Sequence, residues 1–162
     1  MPYLIVIVIA FLIDRLSKLW AAEFLAENGP TQLHTWLTIQ ETYNRGIAFG
    51  LFQGIGPLVG WLTILVVIVL SVYLLRAPKE LWLMRLGLAI LIGGALGNLV
   101  DRIFAGYVLD FIETPFRQGI FNMADVLIYV GIGLTILGSI LQKSGEKQKR
   151  EPTVTIVNLD EN

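Results

Sequence analysis

The chain has 162 residues, 55% of them hydrophobic, and a mean hydropathy of +0.69. Its net charge of −1 gives no indication of nucleic-acid binding, and the absence of cysteine excludes disulfides, thiol nucleophiles and zinc–thiolate sites. His34 is the only histidine, which excludes a multi-histidine metal site. We therefore expect neither a metal ion nor another cofactor.

Apolar residues occur in four long blocks, whereas the apolar residues of a soluble domain are spread more evenly. A helix needs about 20 apolar residues to cross a bilayer, and the blocks are close to that length: Tyr3–Ala22, Pro57–Leu75, Leu81–Val100 and Met123–Leu141. They lack the alternation of a membrane β-barrel. We predict a single all-α polytopic membrane domain over residues 1–150 with four transmembrane helices, and an acidic, disordered cytoplasmic tail over 151–162.

The first block is interpreted as a retained span and not as a signal peptide. It has no basic residues before its apolar run, and the charged residues Asp14, Arg15 and Lys18 come before any plausible cleavage point.

The distribution of basic residues predicts the orientation. They concentrate between the second and third blocks and after the fourth, at Arg76, Lys79, Arg85, Lys143, Lys147, Lys149 and Arg150. The positive-inside rule places these regions and both termini in the cytoplasm. Residues 23–56 and 101–122 then face outward.

Polar residues of three blocks converge at one depth in this orientation. At a rise of about 1.5 Å per residue, Asp14 lies about 16 Å beyond Tyr3, just past the middle of the bilayer. Asn98 lies near the outer end of the third block, and Asn122 and Asp125 lie where the fourth begins. Because ionisable residues within membrane spans usually mark functional sites, we expect a site in the outer third of the membrane.

Two aspartates, Asp110 and Asp125, stand out within the segment YVLDFIETPFRQGIFNMADV. Two carboxylates brought close together cannot both ionise cheaply, so that one can act as a base while the other holds a proton. The alternative is that Asp110 lies in a loop and Asp125 caps the fourth helix, as aspartate often does at a helix N-terminus. Their spacing alone leaves both interpretations open.

Other polar residues near this depth also have two interpretations. Asp14 and Lys18, at i and i+4, either neutralise each other or support a nearby site. Asn44 either donates a hydrogen bond to an extended peptide or is an ordinary turn residue, and Gly46 permits a tight turn. Arg102 is positioned to balance a carboxylate charge.

Residues 33–44 are rich in β-branched and aromatic side chains, which predicts short strands in the first outer connection. His34 is expected in a loop. The glycines of the third block, among them Gly97, favour close helix packing over ligand binding.

The ordered set DRLSK, YNRGIAFG, GGALGNLVDR, VLDFIE and FNMADV resembles bacterial lipoprotein signal peptidase, also called signal peptidase II. The resemblance implies an aspartic endopeptidase of the bacterial inner or cytoplasmic membrane, with a small extracytoplasmic β-cradle beside four transmembrane helices. Its implied partners are membrane lipids and prolipoproteins that carry diacylglyceryl on a cysteine, and it would cleave just before that cysteine.

The resemblance also implies roles for individual residues. Asp110 and Asp125 match the catalytic pair, and Asp101 matches no catalytic position. The remaining matches are polar positions that shape the site and contact the substrate: Asp14, Lys18, Asn44, Asn98, Arg102 and Asn122. Arg45 departs from the family pattern, in which a small or neutral residue often follows the asparagine.

The alternative function is a small proton-coupled membrane carrier, in which intramembrane carboxylates relay protons. The acids cluster on one side of the membrane, and inverted repeats are not evident, so the sequence favours the peptidase.

Overall fold

The computed structural model describes residues 2–46 and 56–150. The predicted tail over 151–162, and residues 47–55 of the first outer connection, lie outside the described residues. In chain order the elements are α1 (Pro2–Asn28), β1 (Thr31–His34), β2 (Leu37–Asn44), α2 (Gly56–Arg76), α3 (Trp82–Phe104), β3 (Val108–Thr114), β4 (Arg117–Phe121) and α4 (Met123–Arg150).

Each of the four predicted blocks forms a helix, and each helix begins within a residue or so of the predicted start. Among the described helices, three are long and apolar enough to cross a bilayer: Leu58–Arg76, Trp82–Phe104 and Met123–Leu141. α1 is not among them, because every 18-residue stretch of it contains Asp14, Arg15 and Lys18. The protein is thus a mostly helical membrane protein with three apolar helices, and the predicted fourth span is not confirmed.

The third helix is the centre of the bundle, and α1, α2 and α4 all pack against it. Four of its glycines permit this because a Cβ added at any of them would meet a neighbouring helix. At Gly87 it would lie 2.6 Å from the backbone oxygen of Gly131, and at Gly93 2.7 Å from that of Ile7. The predicted packing role of these glycines is confirmed.

The four strands form an antiparallel sheet in the order β1-β2-β3-β4. The fold is therefore not purely α-helical, although the predicted strands around residues 33–44 are confirmed. His34 ends β1, so its expected place in a loop was wrong. Ile39 and Phe111 of the sheet pack against Ala21 and Leu25, near the C-terminal end of α1.

The sheet lies close to the helix ends that hold the polar residues. α3 ends at Phe104, and Gly106 follows with φ +77°, a left-handed conformation that favours glycine and turns the chain directly into β3. β3 pairs with β2 so that Asp110 lies opposite Thr42 and Val108 opposite Asn44. This register brings the carboxylate of Asp110 within reach of the end of β2.

Candidate active site

Asp110 lies in the middle of β3 and is buried, with 3% of its surface exposed. Its two carboxylate oxygens accept hydrogen bonds from two amides: Oδ2 from Asn44 Nδ2 at 3.0 Å and Oδ1 from Asn122 Nδ2 at 2.5 Å. Burial raises the pKa of Asp110 to about 6, against the lowering effect of these hydrogen bonds. The nearby charge of Asp125 raises it further.

Asp125 lies in the first turn of α4, where it and Asn122 form a reciprocal cap. The backbone N–H of Asp125 donates to Asn122 Oδ1 at 3.1 Å, and that of Asn122 approaches Asp125 Oδ2 at 3.4 Å. This arrangement satisfies N–H groups that a helix start leaves unpaired. The capping interpretation is therefore correct in part, but it does not exclude a site, because Asn98 Nδ2 donates to Asp125 Oδ1 at 3.0 Å from another helix.

Asn122 joins the two carboxylates. It is fully buried; its side-chain amide donates to Asp110, and its backbone N–H points at Asp125. The two aspartates, fifteen positions apart in the sequence, thus share one neighbour. β3 and the N-terminus of α4 bring these two side chains together, although they are distant in the sequence.

A buried charge network lies behind Asp125. Lys18 Nζ is within 2.9 Å of Asp14 Oδ2, 2.7 Å of Asp101 Oδ2 and 2.9 Å of Asn98 Oδ1. Asp101 also pairs with Arg15. Because Lys18 only donates hydrogen bonds, it fixes the amide oxygen of Asn98 toward itself and the amide nitrogen toward Asp125.

Asp14 supports the start of α4 directly. Its Oδ1 accepts the backbone N–H of Ala124 at 3.0 Å, beside Asp125, and the residue is completely buried. Gly97 makes room for it, since a Cβ at Gly97 would come within 2.7 Å of the Asp14 carboxyl carbon. The pair Asp14 and Lys18 therefore neutralises itself and also positions the site.

Arg102 and Gly46 meet at the edge of the site. Arg102 donates to the backbone oxygens of Gly46 at 3.2 Å and Asn98 at 3.4 Å. The Gly46 N–H donates to Asn44 Oδ1 at 3.0 Å, which turns the amide nitrogen of Asn44 toward Asp110. Arg102 contacts backbone, and no ion pair with a carboxylate is found for it within residues 2–46 and 56–150.

The predicted site residues come together in one continuous hydrogen-bonded cluster. Sequence reasoning underrated Asp101 and Arg15, whose ion pairs complete the charge balance of Lys18. The Asp-Arg pair at the end of GGALGNLVDR was the available signal. Across the described ranges, no cluster of three or more His, Cys, Asp or Glu side chains is arranged to hold a metal ion.

Comparisons with known proteins give a consistent result. The family model for signal peptidase (SPase) II matches residues 6–141. The chain is 36% identical to a lipoprotein signal peptidase of Mesorhizobium japonicum, covering 98% of this chain and 97% of the relative, and 36% identical to one of Shewanella pealeana, covering 88% of each. Two solved bacterial membrane enzymes are similar in structure, with TM-scores of 0.79 and 0.74 at 26% and 27% identity, covering 93% and 84% of this chain and 94% and 90% of theirs.

Proposed function

Because the chain belongs to the signal peptidase II family, we propose that it is a membrane peptidase that removes signal peptides from lipoproteins, with Asp110 and Asp125 as its catalytic pair. The observation that carries the assignment is the contact of Asn122 with both carboxylates. Two acids held at one buried point can divide the roles of general base and general acid.

The orientation of the surrounding amides supports Asp110 as the general base. Asn44 and Asn122 each accept a backbone N–H through the side-chain oxygen, which leaves the amide nitrogen to face Asp110. Both oxygens of Asp110 therefore receive donors, and donors stabilise the ionised carboxylate. With a pKa of about 6, Asp110 is ionised at neutral pH and still basic enough to take a proton from water.

The acid role then falls to Asp125. Its Oδ1 accepts from Asn98 at 3.0 Å. Among the described residues, Oδ2 receives only the long hydrogen bond from the Asn122 N–H at 3.4 Å, which leaves room for a proton. Asp110 removes a proton from water, and the resulting hydroxide attacks the scissile carbonyl carbon while Asp125 protonates the carbonyl oxygen. Asp110 then gives the proton it took from water to the leaving nitrogen, and Asp125 takes back the proton from the hydroxyl group of the tetrahedral intermediate. The C–N bond breaks, a carboxyl product and an amine product form, and both aspartates return to their starting states.

The proposal includes α1 as a fourth transmembrane helix. Leu4, Ile5, Ile9, Leu12 and Leu16 all lie more than two-fifths exposed, as lipid-facing residues would. The charged residues that make α1 exceptional are all paired: Arg15 and Lys18 with Asp101 of α3, and Asp14 with Lys18. This pairing lowers the penalty for placing them in lipid.

The orientation is also part of the proposal. Arg76 ends α2 and Lys79 follows in the link to α3, and the positive-inside rule puts that link and both termini in the cytoplasm. The site and the sheet then lie at the extracytoplasmic side. A substrate whose cysteine carries diacylglyceryl would present its scissile bond at that depth, and we propose cleavage just before this cysteine.

The test is cleavage of a diacylglyceryl-modified prolipoprotein by the purified protein. The parent should release the signal peptide, and Asp110→Asn and Asp125→Asn should both reduce kcat by several orders of magnitude. Glu113→Gln is the matched control, because Glu113 lies on the same strand as Asp110 but bonds to Gln40 and not to the site. It should cleave at close to the parent rate.

Each outcome bears on the assignment. Cleavage by either asparagine variant at the parent rate would remove that residue from the catalytic pair. If an unlipidated precursor were cleaved as fast as the diacylglyceryl-modified one, the lipid would have no part in substrate recognition. The comparisons do not favour the carrier, and solute transport by the parent without any cleavage would be needed to revive it.

A further inference from the structure

A cavity of about 370 Å³ lies at the opposite end of the bundle from the active site. It opens between the first turns of α1 and the last turns of α2, beside the first turn of α3, and its apolar lining includes Ile7, Leu74 and Leu75. Arg85 lies thirteen residues before Asn98 on α3, which separates the cavity from the site by about 20 Å.

Arg85 is the charged group of this cavity, and it has no counterion among the described residues. Its guanidinium lies 4.6 Å from the ring centroid of Tyr3. Its Nε is buried and finds no hydrogen-bond acceptor in the described part of the chain, and none of the ion pairs there includes Arg85. A buried donor without an acceptor is unfavourable, so an anionic, oxygen-bearing ligand would satisfy this group.

We propose that this cavity binds an anionic glycerophospholipid, with its phosphate on Arg85 and one acyl chain along the apolar wall of α1 and α2. A phosphate diester offers two oxygens to the guanidinium fork, and a hydrocarbon chain fills space that water occupies poorly. Positive potential is added by two exposed residues, Arg76 at the end of α2 and Lys79 in the adjoining link.

The inference goes beyond peptide cleavage but rests on the proposed orientation, which puts the cavity in the cytoplasmic leaflet. Anionic lipid headgroups bind basic pockets between helices on that side. Since α1 and α2 both pack on α3, a lipid between them would connect the two helices and stabilise the bundle.

The test uses the full chain, delipidated in a neutral detergent, and follows its thermal unfolding midpoint. Phosphatidylglycerol should raise the midpoint saturably, whereas phosphatidylcholine with the same acyl chains and inorganic phosphate alone should not. Arg85→Gln should weaken the apparent affinity by roughly tenfold or more, as expected for lost bonds to a charged group. Lys79→Gln is the control, since it removes one exposed charge beside the cavity and should change affinity little.

A second variant tests the acyl chain. Ser71 also lines the cavity, and Ser71→Leu narrows it without changing charge, so it should weaken phosphatidylglycerol binding as well. Equal losses of phosphatidylglycerol affinity in Arg85→Gln and Lys79→Gln would mean that the lipid is attracted by the general positive charge of the surface and not by a site at Arg85, which would overturn the proposal. So would an equal response to both lipids, a response to phosphate alone, or parent-like binding by Ser71→Leu. Cleavage by Arg85→Gln at the parent rate would establish that this variant is folded, and failure of the lipid arm would leave the catalytic assignment intact.

Discussion

The buried carboxylate of Asp110 makes stability and activity depend on pH in opposite directions. Folding raises its pKa from 3.8 to about 6, so the folded state binds this proton more tightly than the unfolded state does. The stabilisation is therefore fully present below the unfolded value and is lost as pH rises through about 6. A shift of roughly two units at 1.36 kcal/mol each amounts to about 3 kcal/mol.

Asp110→Asn isolates this contribution. The amide does not titrate, and it loses a hydrogen bond because its NH₂ group must face an amide nitrogen of Asn44 or Asn122. That loss of about 1–3 kcal/mol is the same at every pH. We expect the free energy of unfolding of the parent, relative to the variant, to fall by about 2–3 kcal/mol between roughly pH 4 and pH 7.

The measurement is reversible unfolding of both proteins in detergent at closely spaced pH values. Groups remote from Asp110 titrate alike in the two proteins and cancel in the difference. Asp125→Asn should retain most of the pH dependence of the unfolding free energy, because burial, and not the charge of Asp125, is the largest cause of the raised pKa of Asp110. A parent-minus-variant difference that is flat across the window would refute the reasoning, since it would mean that the carboxylate is as well solvated as in the unfolded chain.

Three further predictions follow from the same cluster. Cleavage measured as kcat/KM should fall as pH drops below about 6, because the proposed base Asp110 becomes protonated; a rate independent of pH down to about 4 would contradict that role. Gly97→Ala should destabilise the protein and lower cleavage, since its Cβ would displace Asp14, whereas Gly133→Ala, with nothing within 4 Å, should be neutral or stabilising in the same unfolding assay. Lys18→Met should cost about 3–5 kcal/mol in that assay by leaving the buried carboxylate of Asp14 without a cation, and a loss below about 1 kcal/mol would show that water reaches this carboxylate.

Much of the fold was predictable because the signals are local. A run of apolar residues the length of a bilayer identifies a helix without knowledge of its neighbours, and all four blocks form helices. The β-branched and aromatic residues before Asn44 likewise predicted strands that the structure contains. α1 extends past its predicted end at Ala22 to Asn28, because that extension packs on the sheet through Leu25, a contact that a single segment does not reveal.

The site was predictable in its members but not in its connections. Depth within the membrane and the ordered motifs selected Asp110 and Asp125, yet the link between them through Asn122 depends on where β3 lies relative to the first turn of α4. The ion pair of Asp101 with Arg15 spans 86 positions and forms only when α3 packs against α1. Pairing of this kind is a property of the tertiary structure, so a motif read along one helix misses it.

Pairing between helices also explains how α1, which is apolar in most of its length, can carry more charged residues than a membrane-spanning helix usually does. Counting charges along one helix treats each as a separate penalty, although the penalty in lipid falls on charge that is unpaired. Here two cations of α1 are balanced by Asp14 and by Asp101 of α3, so the four charges sum to zero. Lys18 also orients Asn98 toward Asp125. The residues that make α1 unusual as a membrane helix are therefore the ones that connect it to the proposed catalytic pair.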